Sequence, residues 1–361
     1  MKSVTFVLPC HGAKPIGGLK IVYEYANYLA CCDWRVEIIH IAWLNNVMSW
    51  FRGLATYFNR IHSYKPNKWF DLHVAIKTYW VFKLKKINAK KIIVTSWEAA
   101  ELLYRQQNND SDIYYLIQGD ETKFDDVMKH NWQERVQETW KYNWKLIAIN
   151  DFLYKMIYKF NQNIVKVTNG IDKEKYKIVL PIECREKFTV CMLGHVLEWK
   201  GTRIGVEALQ ILKNKYSNMQ VTIFSTYPKM RFIPDWVNYE YLASQEKIVD
   251  IYNQSALFIS CSYAAEGFGL PFVEAMACGC ATVVSDIPTY RDIANETMTA
   301  FFEPGNIASL VDTIEVVLND DEKRKKYAFN GNQHVKANIS FEKSAESLEK
   351  YLLSWDASKL K

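Results

Sequence analysis

The chain has 361 residues, of which 49% are hydrophobic and 24% are charged, and its formal net charge is +5. This length is too great for one ordinary hydrophobic core and predicts two domains, and the composition is that of a soluble globular enzyme. No stretch approaches the ~20 consecutive apolar residues of a membrane span, and the apolar run at the start is too short for a signal peptide. We therefore expect a cytoplasmic protein.

Short apolar runs, which predict strands, alternate along the chain with longer amphipathic runs, which predict helices. A first series of predicted strands covers Val4–Leu8, Val36–Ile41, Ile92–Thr95, Tyr114–Ile117, Leu146–Ile149 and Val165–Thr168. A second series covers Phe188–Leu193, Val221–Phe224, Leu257–Ser260, Ala281–Ser285 and Ala300–Phe302. The predicted helices cover Leu19–Ala30, Thr202–Asn214, Gln245–Tyr252, Pro271–Cys278, Ala308–Leu318 and Phe341–Trp355. This alternation predicts two parallel, doubly wound α/β sheets, with a break at the turn signal Asn169-Gly170.

The cysteines show no paired C-x-x-C spacing, and most lie in apolar segments. They occupy positions 10, 31, 32, 184, 191, 261, 278 and 280. We therefore predict buried free thiols in a reducing cytoplasm rather than disulfides or a zinc site.

The positive charge is concentrated in residues 43–91, which hold ten Lys or Arg and one acid, Asp71, and so carry +9. The same stretch is rich in Trp, Tyr and Phe. This mixture suits an anionic membrane surface or a phosphate-bearing partner, and the alternative is that the aromatic side chains belong to a core. No zinc-finger spacing or basic-helix motif accompanies the charge, so we expect no nucleic-acid partner.

The most informative segment, Glu266–Gly279, consists of a glycine loop, a proline, a short predicted helix and a final glycine. Glycines let backbone approach a ligand, Pro271 suits a first helical position, and the N–H groups at a helix start bind an anion such as a diphosphate. Two carboxylates in the segment can accept hydrogen bonds from sugar hydroxyls. A nucleotide-sugar offers both a diphosphate and sugars. The predicted donor-binding residues of this segment are Glu266, Gly267, Phe268, Gly269, Leu270 and Glu274.

Two further glycine loops follow predicted strands. Gly17-Gly18 comes after the first strand of the first domain, and the loop from Gly194 to Gly201, which holds His195 and Lys200, comes after the first strand of the second. In doubly wound sheets ligands bind beyond the carboxyl ends of the strands. We therefore expect these loops and Glu266 to face one another across an interdomain cleft.

With these motifs the chain resembles the retaining glycosyltransferases of family four, which have the GT-B fold of two facing Rossmann-like domains. The resemblance spans nearly the whole chain and rests also on Val167–Asp172 and on Ala281–Pro288. More narrowly, Thr95–Ala100 and Tyr115–Glu121 resemble a bacterial subgroup that includes rhamnosyltransferases of lipopolysaccharide and other surface-glycan assembly.

The resemblance implies an acceptor-side domain at 1–172, a nucleotide-sugar-binding domain at 173–340, and a C-terminal helix at 341–361 that packs back on the first domain. It also implies retaining transfer from a UDP-, GDP- or dTDP-sugar to an oligosaccharide or lipid-linked acceptor. Such enzymes build bacterial cell-surface polysaccharide, and together with the basic stretch this suggests the inner face of the plasma membrane.

The resemblance assigns roles to three residues: Glu266 lies near the donor sugar and phosphates, Glu274 holds the ribose, and Lys200 lies on the diphosphate. Typical members have arginine where His195 stands, so we interpret His195 either as a partial positive charge on the phosphate or as a structural hydrogen bonder. They have histidine where Gln118-Gly119-Asp120 stands. Gln118 and Asp120 are then either close to the reacting sugar or turn residues at a strand end.

Glycosyl transfer needs positive charge or dipoles at the departing phosphate. No Asp-x-Asp motif follows a predicted strand, so we expect Lys200, His195 and the helix start at Pro271 to provide them, with no required metal and no cofactor. A covalent route would need a carboxylate beneath the sugar, for which Asp120 and Glu121 are candidates by position, whereas front-face attack is the route that the resemblance favours. The predicted catalytic residues are Glu266, Lys200, Asp120 and Gln118.

Other classes of protein fit less well or stay open. A nicotinamide enzyme would need Gly-x-Gly-x-x-Gly after a strand, which the first glycine loop lacks. A glycosidic phosphorylase and a catalytically weak GT-B relative that acts as a nucleotide-sugar-binding scaffold are the alternatives that remain.

Overall fold

The structure of the chain, a computed structural model, describes residues 2–9, 15–44, 50–63, 69–106, 111–123, 132–263 and 265–354. It consists of two compact units. The first unit is discontinuous in sequence, since it combines Met1–Thr168 with Lys343–Lys361, and the second unit is the intervening stretch Asn169–Glu342. Each is an α/β unit built on one parallel sheet.

The first unit contains a seven-stranded sheet with helices in the connections. Its elements in chain order are β1 Ser3–Pro9, α1 Gly17–Cys31, β2 Arg35–Ile41, α2 Trp50–Ser63, β3 Lys77–Val81, β4 Lys91–Val94, α3 Trp97–Tyr104, β5 Asp112–Ile117, α4 Trp132–Trp140, β6 Lys145–Ala148, α5 Asp151–Tyr158 and β7 Ile164–Lys166. The strand order is β3-β2-β1-β4-β5-β6-β7, and all ladders are parallel. The direction of winding therefore reverses between β1 and β4.

The second unit contains a six-stranded sheet. Its elements are β8 Thr189–Gly194, α6 Thr202–Lys215, β9 Gln220–Ser225, β10 Asn238–Tyr241, α7 Gln245–Gln254, β11 Leu257–Ser260, α8 Leu270–Ala277, β12 Ala281–Ser285, α9 Pro288–Arg291, β13 Ala300–Phe302, α10 Ile307–Asn319 and α11 Asp321–Asn338. The order is β10-β9-β8-β11-β12-β13, again with parallel ladders throughout. Here the winding reverses between β8 and β11.

The central strands are apolar because helices cover both faces of a parallel sheet. In β1 five consecutive residues are buried, and in β12 all five are buried. The predicted fold class, two doubly wound parallel sheets, is confirmed. Two edge strands, β3 and β10, were not predicted, because their side chains are half-exposed and form no continuous apolar run.

The last helix, α12, spans Phe341–Ser354, and from Lys343 onward it belongs to the first unit. The hydroxyls of Ser344 and Tyr25 lie 2.6 Å apart in a buried hydrogen bond. The indole of Trp34 donates a hydrogen bond of 2.8 Å to Glu349. These polar contacts fix α12 against α1 and its following turn.

Arg185 ties together the ends of two helices in the second unit. Its buried guanidinium donates to the carbonyls of Tyr252 at 2.9 Å, Ser255 at 2.8 Å and Cys278 at 2.6 Å. The last carbonyls of a helix lack partners within the helix and carry partial negative charge. Arg185 satisfies those of α7 and α8 together.

The seven cysteines within the described ranges are all free thiols. Cys191, Cys261, Cys278 and Cys280 are buried, as predicted, but Cys31 and Cys184 are exposed and Cys32 is half-buried. Cys31 lies at the end of α1 and Cys184 lies in a short turn before β8. Their neighbours in the sequence are apolar, but neither position is in the core. Cys10 lies outside the described residues.

Candidate functional site

The candidate site of the second unit lies at the reversal point between β8 and β11. In open α/β sheets the loops that leave the carboxyl ends of two such strands diverge and leave a crevice between them, which is the usual ligand position. The loop after β8 contains residues 195–201, and the loop after β11 leads to α8. Most predicted donor-binding residues of the second unit lie in these two loops: His195, Lys200, Glu266, Gly267, Phe268 and Gly269. Gly194 is the last residue of β8, and Leu270 and Glu274 belong to α8.

The two loops are in direct contact because Gly201 has no side chain. It adopts a left-handed conformation with φ of 66°, and a Cβ atom there would lie 2.1 Å from the carbonyl oxygen of Cys261. Gly194 is also confined, since its Cβ would lie 2.7 Å from a methyl group of Ile223. Any larger residue at position 201 would separate the loops.

Lys200 and Glu266 form an ion pair across this contact. The Lys200 ammonium donates to Glu266 Oε2 at 2.7 Å, and their side chains are only 16% and 10% exposed. Burial by itself would raise the pKa of Glu266, but the ammonium and hydrogen bonds from Ser262 and the Gly269 N–H outweigh it, so the net pKa is lowered. Lys200 also lies 4.4 Å from the ring centre of Trp199. The carboxylate and the ammonium are therefore both charged and both held in place.

Two helices begin directly after these loops. The residues before α6 and α8 are Gly201 and Gly269, both left-handed, and neither helix has a side-chain cap. Pro271 stands at the start of α8, as predicted. Uncapped first-turn N–H groups carry partial positive charge and bind anions. A pocket lined by Leu193, Lys200, Ser262, Glu266 and Pro271 lies there.

His195 is a neutral hydrogen-bonding residue. Its Nδ1 accepts a hydrogen bond from the Leu197 N–H at 3.0 Å, so the ring proton is on Nε2. Burial and then the charge of Lys200 lower the pKa of His195 from 6.5 to about 4. The backbone N–H of His195 donates to Thr202 Oγ1 at 2.8 Å. The expectation that the imidazole provides part of a positive charge is therefore wrong, because the site is partly closed to water and already holds a lysine.

Glu274 lies one turn inside α8 and is only 7% exposed. Its Oε2 accepts a hydrogen bond of 3.2 Å from the hydroxyl of Tyr252, which lies on α7. The two predicted carboxylates thus have different partners: Lys200 holds Glu266, and Tyr252 holds Glu274.

In the first unit the structure brings Gly18 and Gln118 together. Gly17 is the first residue of α1, and a Cβ at Gly18 would lie 3.3 Å from the side-chain oxygen of Gln118. Asp120 is buried, and its Oδ1 accepts hydrogen bonds from the Thr122 N–H at 3.1 Å and its hydroxyl at 2.5 Å. With these two hydrogen bonds, Asp120 stabilises the turn that follows β5.

Glu121 lies in a buried acidic environment. Its carboxylate accepts hydrogen bonds from the Tyr115 hydroxyl and from the Trp97 N–H. Burial, followed by the nearby charge of Glu98, raises the pKa of Glu121 to about 8. The raised pKa favours the protonated form of Glu121, which makes it a weak candidate for a covalent nucleophile.

Sequence reasoning missed three residues of the second-unit site: Thr202, Ser262 and Tyr252. Thr202 follows the Lys-Gly pair and Ser262 follows β11, so their positions beside glycine loops could have marked them. Tyr252 gave no signal, because it lies in an amphipathic helix and only the packing of α7 against α8 brings it to Glu274.

Across the described part of the chain, no group of three or more His, Cys, Asp or Glu side chains is placed to hold a metal ion. None of the helices within the described ranges is both long enough and apolar enough to cross a membrane.

These features agree with comparisons to known proteins. Residues 172–334, a little under half of the chain, match the family model described as Glycosyl transferases group 1. The architecture is the GT-B fold. The structure of Anabaena HepE in complex with UDP and glucose superposes with a TM-score of 0.70 over 97% of this chain and 100% of that one, at 14% identity.

Two curated relatives are similar in sequence. Phosphatidyl-myo-inositol mannosyltransferase of Mycobacterium tuberculosis is 24% identical over 212 residues, which are 53% of this chain and 54% of the relative. The N,N'-diacetylbacillosaminyl-diphospho-undecaprenol alpha-1,3-N-acetylgalactosaminyltransferase of Campylobacter jejuni is 27% identical over 214 residues, or 54% and 56% of the two chains. The chain thus spans about half the length of the curated relatives that it matches.

The neutral state of His195 predicts a specific dependence of stability on pH. As pH falls, the unfolded chain protonates His195 near its ordinary pKa of 6.5, whereas the folded chain resists protonation until about 4. The contribution of His195 to the free energy of unfolding is therefore complete above its pKa in the unfolded chain. It is lost, by up to roughly 3 kcal/mol, as the pH falls towards its pKa in the folded chain.

His195→Asn, whose amide oxygen can accept from Leu197, should remove this contribution. We expect urea denaturation to show a smaller fall in the free energy of unfolding between about pH 7 and about pH 4.5 for the variant than for the natural chain. An identical fall in both would contradict a neutral, buried His195.

Proposed function

We propose that the chain is a retaining glycosyltransferase that uses a UDP-, GDP- or dTDP-sugar and needs no metal. Its acceptor is a glycan or lipid-linked glycan of bacterial cell-surface polysaccharide synthesis. The observation that carries this proposal is the Lys200–Glu266 pair between the uncapped starts of α6 and α8. Anabaena HepE, which has the same fold, binds UDP and glucose, and this supports a nucleotide-sugar donor.

The charges of the site suit a diphosphate. An ammonium has three N–H donors, and Glu266 uses one, so two remain for phosphate oxygens. The helix starts add partial positive charge, and the neutral His195 can donate from Nε2. Fixed charge and dipoles of this kind stabilise a departing nucleoside diphosphate, which is the task that a metal ion performs in other sites.

The Lys200–Glu266 pair also places a carboxylate where the donor sugar would lie. Glu266 is held by Lys200, Ser262 and the Gly269 N–H, so its carboxylate stays beside the phosphate pocket and can accept hydrogen bonds from the donor sugar. We favour front-face attack, in which a donor phosphate oxygen takes the acceptor proton. Asp120 is engaged with Thr122, and the pKa of Glu121 is raised by burial, so neither is well suited to form a glycosyl-enzyme intermediate.

Nucleoside diphosphates should bind and stabilise the chain, and Lys200→Met should weaken that binding. A ligand at about one hundred times its dissociation constant stabilises by about 2.7 kcal/mol, which a thermal-shift screen of UDP, GDP and dTDP will detect. Loss of one charged hydrogen-bond donor should lower the affinity roughly tenfold or more by calorimetry.

Lys229→Met is the control for that experiment, because Lys229 is also paired with a carboxylate, Asp235 at 3.2 Å, in the same unit and does not line the pocket. Equal affinity of all three proteins, or no stabilisation by any nucleotide, would refute the assignment of the pocket.

Transfer should proceed in the presence of EDTA, and the product should keep the anomeric configuration of the donor, as read from its NMR couplings. The donor is the nucleotide-sugar whose nucleotide stabilises the chain most. An inverted product would exclude the front-face route. Nucleotide binding without transfer or donor hydrolysis would instead favour the scaffold alternative.

We also propose that the first unit docks on an anionic membrane surface through residues 43–91, where a lipid-linked acceptor would be presented. The M. tuberculosis relative is named for a lipid, phosphatidyl-myo-inositol. On α2, Phe51 and Phe58 lie two turns apart and are 78% and 56% exposed. The opposite face of α2 packs through Gly53, where a Cβ would lie 2.6 Å from Trp43. The exposed apolar face is therefore available to a partner.

Basic side chains accompany this face. Lys83, Lys85 and Lys86 are exposed, and none of them is paired with an acid among the described residues. They border a groove of about 550 Å³ that is also lined by Tyr57, Trp80 and Phe82. Aromatic side chains beside unpaired lysines match the apolar and anionic layers of a membrane interface. Not all the aromatic residues are exposed, since Trp43 stacks on Phe82 at 5.2 Å.

Replacing Lys83, Lys85 and Lys86 with Gln should weaken sedimentation with phosphatidylglycerol vesicles, because each basic residue contributes about 1 kcal/mol near an anionic surface. The loss should shrink at high salt. Phe51→Ser with Phe58→Ser should weaken binding at every salt concentration. The control replaces Lys323, Lys325 and Lys326 of α11 with Gln, which removes the same amount of positive charge from another surface. Equal weakening of vesicle binding by the two triple replacements would overturn the proposal.

A further inference from the structure

The connection between β3 and β4, residues 82–90, contains no helix. The other connections between consecutive strands of the first unit each contain one. Because β2 and β1 stand between β3 and β4 in the sheet, this connection has to pass two strands. Helices normally cover both faces of a parallel sheet, and an extended segment covers less of a face than a helix does.

Two adjoining cavities are lined by this segment together with β1 and β2. One is the groove of about 550 Å³ described above, and the other is a pocket of about 310 Å³. Leu84 and Ile87 anchor the segment, since they are only 2% and 8% exposed. We call the two cavities together the crossover groove, because they share four lining residues: Glu37, Lys86, Ile87 and Asn88.

One end of the crossover groove, the pocket, is polar. The register of β1 and β2 pairs Ser3 with Arg35 and Thr5 with Glu37, and all four residues line the pocket. Arg35 donates a hydrogen bond of 2.8 Å to Glu37. The acid in the lining of the pocket is therefore already balanced by a guanidinium.

Lys86 and Lys90 make this end basic. Both line the pocket and are exposed, and neither has an acidic partner among the residues that the structure describes. Asp112, at the start of β5, contacts Lys145 at 2.7 Å and Lys91 at 3.2 Å. Burial by itself would raise the pKa of Asp112, but these two lysines outweigh it, so the net pKa is lowered. The charge of Asp112 is thus balanced by its own partners.

The other end of the crossover groove has apolar walls beside the exposed lysines described above. Ile39, Tyr57 and Phe82 line it and are half-buried, and the rings of Tyr57 and Phe82 meet edge to face at 5.8 Å. Alternate residues of a strand share one face, and along β2 that face changes from Arg35 and Glu37 to Ile39. The crossover groove thus has a basic end and an apolar end.

We propose that the crossover groove binds one molecule of an anionic lipid, whose phosphate lies at the basic end and whose first chain carbons lie at the apolar end. Ammonium groups donate charged hydrogen bonds to phosphate oxygens, and removal of chain carbons from water favours binding. A free phosphate ion would use the basic end alone, so the two-part lining favours a lipid. The inference rests on the proposed membrane docking for the source of the lipid, and it adds a site for a single molecule to that surface attraction.

The test titrates three probes into the natural chain by calorimetry: octyl phosphate below its critical micelle concentration, inorganic phosphate and 1-octanol. Octyl phosphate should bind at one site per chain and at least roughly tenfold more tightly than either other probe, because it alone occupies both ends. Inorganic phosphate or octanol that binds as tightly as octyl phosphate would overturn the assignment to a lipid.

Two variants separate the ends of the crossover groove. Lys86→Gln with Lys90→Gln should weaken octyl phosphate binding roughly tenfold or more and leave octanol binding unchanged. Ile39→Thr should weaken the binding of octyl phosphate and octanol and leave that of inorganic phosphate unchanged. Since Lys86 and Lys90 are exposed, we expect the lysine variant to keep the melting temperature of the natural chain.

Lys155→Gln with Lys159→Gln is the matched control, because these lysines are also exposed, also four positions apart and in the same unit. This pair should leave octyl phosphate binding unchanged. Lys200→Met should do the same, and a loss of binding in that variant would place the probe in the phosphate pocket of the second unit and overturn the inference.

The outcomes separate this inference from the proposed docking. If octyl phosphate does not bind, or binds equally to the Lys86/Lys90 and Lys155/Lys159 variants, the inference fails, while the sedimentation experiment with vesicles still decides the docking. If octyl phosphate binds with the expected dependence, the site stands even where vesicles do not sediment with the chain, and only the docking fails.

Discussion

The site of the second unit depends on the close approach of two backbones, Gly201 against the carbonyl of Cys261. Without it the loops after β8 and β11 would stand apart, as strand-end loops do at a reversal of winding. The contact brings an ammonium from one loop to a carboxylate of the other, and both loops lead into helices whose starts have no side-chain cap.

The electrostatics of α8 are balanced at both of its ends. Its start is uncapped beside Lys200, and its last carbonyl is covered by the guanidinium of Arg185, which has carbonyls as its oxygen acceptors. A buried guanidinium without a carboxylate partner is costly unless partial charges surround it. The carbonyl ends of α7 and α8 supply those partial charges, so α8 is held in place at the end opposite its uncapped start.

The sequence was sufficient for the fold class and for the positions of Lys200, Glu266 and Pro271 in the loops and at the start of α8, because these follow from local patterns. Apolar runs mark buried strands, and glycines followed by a helix start mark the loops at their ends. The edge strands β3 and β10 were not predictable in this way, since half-exposed strands have no distinct pattern. The state of His195 and the partner of Glu274 depended on burial and on the packing of α7 against α8, which are properties of the tertiary structure. The roles of the site residues in sugar transfer stay predictions.

The discontinuous first unit has a consequence for biosynthesis. Its sheet is encoded before residue 169, yet α12 is encoded after the whole of the second unit. A chain emerging from the ribosome therefore exposes the Tyr25 hydroxyl and the Trp34 indole without Ser344 and Glu349 while about 170 further residues are translated. The nascent first unit must stay unaggregated with one helix missing, and the second unit is the part of the protein that can complete its fold first.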